Sequence, residues 1–122
     1  MSSFTDKLYV CQIDGCWWQT TREFEFWYDV GKKRYTYVVP DKFKTDFASI
    51  PRLLWPVIGH PAGEYAQAAV LHDYLYRFRV TSRSDADAIF LEGMRVLGVG
   101  LMRRRAMWAA VRTFGMFAWR TK

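Results

Sequence analysis

Between Leu8 and Val39 apolar and polar positions alternate, and beyond Ser49 they recur at helical spacing. Residues near Leu8 to Ile13 and Cys16 to Thr20 read as two short strands around the turn signal Asp14-Gly15. Glu23-Phe24-Glu25-Phe26-Trp27-Tyr28 sets charge against aromatic, Gly31-Lys32 turns the chain, and Arg34-Tyr35-Thr36-Tyr37-Val38-Val39 completes a β-meander over about 7–40. Side chains two apart share a face, so Phe24, Phe26 and Tyr28 should meet Tyr35, Tyr37 and Val39 as the sheet's half of the core. Pro40-Asp41 ends the sheet, because proline cannot donate to a ladder.

The helical part is expected over about 49–119. Ser49 is placed to cap a short helix with Pro51 in its first turn, and Pro56 and Gly59-His60-Pro61-Ala62-Gly63 break it. A second helix should run from about Glu64 to Phe78, with Tyr65, Ala69, His72 and Tyr76 on one stripe. Ser84-Asp85-Ala86-Asp87 reads as a capping box with Asp in place of Glu, opening a third helix to Gly98 whose inward stripe is Asp87, Phe90, Leu91, Met94 and Leu97. A fourth helix should follow Gly100, with Met102, Ala106, Ala109, Thr113, Phe114 and Phe117 turned inward, opposite Arg103, Arg104 and Arg105. No repeat, low-complexity run or linker interrupts the chain. The pattern predicts one α+β domain over 1–122, an N-terminal antiparallel β-meander packed against three to four C-terminal helices.

Composition adds a partner bias. The 122 residues are 51% hydrophobic and 18% aromatic with six Trp, so a bulky core or an apolar contact surface is expected. A formal net charge of +6 favours acidic partners: an anionic membrane face, an acidic protein or nucleic acid. Nucleic acid is the weakest of these, since no recognised reading motif accompanies the basic cluster. Only Cys11 and Cys16 are present, and a two-residue hairpin would set Cys11 opposite Trp18 and Cys16 opposite Ile13, leaving reduced thiols rather than a disulfide framework. The N-terminus lacks the basic flank and apolar run of a signal peptide, and no window is long and apolar enough to span a membrane.

The candidate chemistry is a histidine and three carboxylates. His72 lies mid-helix beside Ala68 and Ala69, and Asp87 opens the next helix on its apolar stripe, so a short connection would bring them together. A carboxylate that fixes one ring nitrogen leaves the other as a base, the arrangement a water-activating dyad requires. Asp73 points away around the helix and, with Asp46 in the preceding loop, offers the oxygen ligands a calcium ion prefers. A hydrogen-bonded core pair explains His72 and Asp87 equally well, and Arg52 or Arg83 paired with Asp73 or Asp46 would leave no place for metal. His60 reads as an exposed loop residue. Tyr65, Tyr74 and Tyr76 read as packing, although the hydroxyl of Tyr76 is able to support a dyad carboxylate.

The series Thr45-Asp46-Phe47-Ala48-Ser49-Ile50-Pro51-Arg52, Ala68 to Tyr76, Ser82 to Phe90, and Met107 with Ala110 to Gly115 resembles a family common in tailed bacteriophages and prophages, the domain of unknown function thirteen fifty-three. That resemblance implies a phage or prophage origin and a place in the host cytoplasm or virion, and it carries no activity. A looser local resemblance links His72-Asp73 with Tyr76, and Asp87 with Phe90 and Met94, to the two central helices of phospholipase A2. It implies His72 as base, Asp87 as its orienting partner, and Asp73 and Asp46 as calcium ligands. Three departures stand against it: no disulfide set, no glycine-rich calcium loop, and a leading meander that family does not need.

Two functions follow. In a metal-assisted lipid or ester hydrolase, Arg103, Arg104, Arg105, Trp108 and Trp119 would face an anionic bilayer. In a non-enzymatic virion, tail or accessory component, the same surface would bind other phage proteins and the polar quartet would be a brace.

Overall fold

The computed structural model describes residues 2–14, 17–45 and 65–121. The alternating first half forms six strands: β1 (Ser2–Phe4), β2 (Val10–Asp14), β3 (Trp17–Thr20), β4 (Phe24–Val30), β5 (Lys33–Val39) and β6 (Lys44–Thr45). They make two antiparallel sheets, ordered β1-β4-β5 and β2-β3-β6, rather than one meander. The β4–β5 register pairs Phe24 with Val39, Phe26 with Tyr37 and Tyr28 with Tyr35, the cross-strand set that period two predicts. Gly31, at φ +61°, supplies the turn between them.

Two departures from the expected strands have physical causes. Ser2–Phe4 is too short to alternate, and becomes a strand only by pairing with β4, where Phe4 lies opposite Phe26 with ring centroids 4.7 Å apart. A register shift between Gln12 and Asp14 sets Cys11 opposite Gln19, not Trp18, and Cys11 is exposed and free. Thr20 ties the second sheet together: its hydroxyl donates to the Pro40 carbonyl at 2.8 Å and accepts from the Phe43 N–H at 2.8 Å.

Three helices follow among the described residues: α1 (Ala66–Phe78), α2 (Arg83–Val96) and α3 (Leu101–Thr121). The short helix expected after Ser49 lies outside the described residues. Arg79 closes α1 in the left-handed conformation at φ +49°, and the Val80 N–H reaches back to the Leu75 carbonyl. The cap of α2 is Ser82, whose hydroxyl accepts from the Asp85 N–H at 3.1 Å, so the expected box at Ser84 sits two residues late and Asp87 falls inside the helix. Phe24, Phe26 and Val39 from the first sheet bury against Ala68, Leu71 and Leu75 of α1, Phe90 and Met94 of α2, and Met107 and Val111 of α3.

The buried face of α3 is not the expected one. Met102 is 87% exposed and Ala106, Ala109 and Thr113 face outward, while Met107, Val111 and Gly115 face the core; the side chains of Phe114 and Phe117 lie outside those described. The helix has apolar residues all round, so its spacing alone allowed either face; the chemistry it brings to the other two helices selects this one.

Candidate functional site

His72 and Tyr76, four apart on α1, share a stripe and are each 1% exposed. The α1–α2 crossing is set by small residues, since a Cβ on Gly93 would approach the Ala68 Cβ at 3.2 Å and the Phe4 ring at 3.3 Å. From that crossing the chain runs forward to His72 and Tyr76 on α1, and Asp87 lies back along the antiparallel α2. His72 Nε2 stands 2.7 Å from Asp87 Oδ1, and Tyr76 Oη donates to the same oxygen at 2.5 Å. From α3, Arg112 Nη1 donates to Asp87 Oδ2 at 2.8 Å.

Asp87 is 0% exposed, and burial by itself would raise its carboxyl pKa. Donation from His72, Tyr76 and Arg112 outweighs that and holds it below the ordinary carboxylate value. The Tyr76 hydroxyl moves the other way, pushed up by burial and by its bond to Asp87, so it stays protonated and donates. An ionised carboxylate only accepts, so Nε2 carries a proton and donates to Asp87, and the other ring nitrogen, Nδ1, is buried. The imidazole packs between Tyr76 and Phe90, with ring centroids 4.1 and 4.8 Å away.

The third helix shapes this cluster as well as charging it. A Cβ on Gly115 would lie 2.7 Å from Tyr76 Oη, so glycine there makes room for the hydroxyl. Arg83 Nη2 donates to the Val111 and Arg112 carbonyls at 3.2 and 2.5 Å, which fixes α3 against the start of α2. Trp119 stands edge-on to Tyr76 at 5.1 Å, and its carbonyl accepts from Arg79.

The structure thus brings His72, Tyr76 and Asp87 together, and sends other candidates elsewhere. Arg83 serves helix carbonyls and not Asp73, which is fully buried with Arg77 Nη2 3.8 Å away. Asp46, Arg52 and His60 lie outside the described residues. Among the described residues no group of three His, Cys, Asp or Glu stands close enough together to hold a metal ion. Arg103 and Arg104 are half-buried, with Arg104 Nη1 donating to the Val99 carbonyl at 3.0 Å, whereas Arg105 and Trp108 are exposed. Trp119 is half-buried over Tyr76 rather than turned outward. Sequence reasoning did not single out Arg112 or Gly115 as site residues, since neither interrupts a readable stripe in the second half of α3.

Comparison with known proteins places the chain in a family. The profile described as "Protein of unknown function (DUF1353)" matches residues 18–111, and the chain belongs to that family. It is 40% identical over 78 residues to the uncharacterized protein y4jT of Sinorhizobium fredii, covering 63% of this chain and 23% of that protein. It is 30% identical over 104 residues to the uncharacterized protein y4iH of the same organism, covering 84% of this chain and 36% of the relative. The chain therefore spans well under half the length of these curated relatives. No solved structure matches it. No helix among the described residues is long and apolar enough to cross a membrane.

Proposed function

We propose that this is a phage- or prophage-encoded hydrolase of lipid or other ester bonds, acting in the host cytoplasm or from the particle, with His72 as base and Asp87 as its orienting acid. One observation carries the reading: a fully buried, ionised Asp87 grips Nε2 of His72 while also accepting from Tyr76 and Arg112. That arrangement fixes a single imidazole tautomer and would stabilise the imidazolium formed when an opening of the site lets the buried Nδ1 take a proton from water. The resulting hydroxide would add to the ester carbonyl, and the imidazolium would return its proton to the leaving alkoxide. Calcium, with Asp73 and Asp46 as ligands, is part of the proposal only as a test by titration and chelation, because Arg77 already stands beside Asp73.

The 1% exposure of His72 favours a second reading, in which the quartet is a brace inside a non-enzymatic virion or accessory protein that binds other phage proteins. Phospholipid vesicles and soluble esters, with and without chelator, separate the two. Hydrolysis that His72→Gln lowers by at least about 100-fold, at an unchanged melting temperature, supports the dyad. Wild-type protein without turnover, together with a variant that melts several degrees lower, supports the brace.

A further inference from the structure

We propose that a groove between α2 and α3 binds the phosphate of an anionic phospholipid and docks this face of the protein on a bilayer. The inference is independent of the dyad, because it concerns binding and not turnover. The groove has a volume of about 210 Å³ and is lined by Ala88, Leu91 and Leu101 together with Arg95, Arg104 and Arg105. Its one carboxylate, Glu92, already accepts from Arg95 and from Ser2 Oγ, leaving Arg104 and Arg105 as the uncompensated charge. Arg104 is held toward the groove by its bond to the Val99 carbonyl, so one donor is positioned before any ligand arrives.

The surface beside the groove fits a bilayer. Leu101, Met102 and Trp108 are 49%, 87% and 37% exposed, and all three lie on α3 next to the arginines. Exposed apolar residues beside arginines along one helix are the composition of an interfacial helix, with aliphatic and indole groups entering the acyl boundary while guanidinium groups meet phosphate. Charge argues against a second copy as the occupant: Arg104 and Arg105 line the groove beside a Glu92 already paired with Arg95, so two such faces would repel.

Co-sedimentation of the full chain with vesicles of phosphatidylcholine alone, and of phosphatidylcholine with phosphatidylglycerol, tests this. Binding is expected only to the anionic vesicles, weakening with added salt and falling about tenfold in Arg105→Glu, with a separate loss in Met102→Glu. Both substitutions are on exposed positions, and circular dichroism checks that each variant is folded. Equal binding to both vesicle types, or unaltered binding by both variants, overturns the proposal. So does a specific response of the Arg105 side-chain resonance to inorganic phosphate without vesicle binding, which would make the groove a site for a free phosphate. Self-association that Met102→Glu abolishes, without vesicle binding, would make the face a contact between copies and equally overturn it.

Discussion

Asp87 is the residue on which the three helices depend. One oxygen accepts from α1 twice and the other accepts from α3, all inside the core, so each donor removed leaves charge without compensation. Tyr76→Phe, which deletes only the hydroxyl, is expected to cost about 1.5–3 kcal/mol by chemical denaturation, the usual worth of a hydrogen bond to a charged group. If the dyad is catalytic it should also lower turnover without changing the pairing of His72. A variant as stable as the wild type would mean that the hydroxyl is replaceable by packing. His72 and Asp87 were legible from the chain because a histidine and a carboxylate interrupted apolar stripes. Arg112 was not, since it is one of five arginines on a helix with no acid to single it out.

Among the elements, α3 was the least readable and matters most to the site. Its apolar residues surround the axis, so periodicity offered Met102, Ala106, Ala109 and Thr113 as readily as Met107, Val111 and Gly115. Only the tertiary partners decide: Arg112 must meet Asp87, and Gly115 must admit Tyr76. The strands of the first sheet posed no such choice, because alternation permits one buried face and the turn at Gly31 fixes the register. The role of Gly115 gives a test that runs against local propensity. Glycine to alanine inside a helix ordinarily gains roughly 1 kcal/mol, yet Gly115→Ala should destabilise, because its methyl group would sit 2.7 Å from Tyr76 Oη. In a Tyr76→Phe background the penalty should shrink, and a double-mutant cycle on melting data measures the difference. Additive effects would show that the hydroxyl does not set the spacing.

At the scale of the whole molecule, these buried and surface carboxylates combine with the net charge of +6 to set its response to acid. Asp87 is held below its ordinary pKa despite burial, and Glu92 is held below by donation from Arg95, which exceeds its own desolvation. A carboxylate depressed in the folded state binds protons more readily when the chain unfolds, so its contribution is complete above the unfolded value near 4 and is lost as pH falls through the folded one. Stability should therefore hold from neutral pH down to about 5 and decline below about 4. Protonation of the remaining acids then leaves 18 Lys and Arg unbalanced, and their mutual repulsion steepens the decline. Asp87→Asn removes the most buried of these groups, so its melting temperature should start lower at neutral pH and change less between pH about 4 and 2. Parallel curves for the two proteins would move the acid response to the surface pairs; a flatter curve for the variant assigns it to the carboxylate that joins the helices.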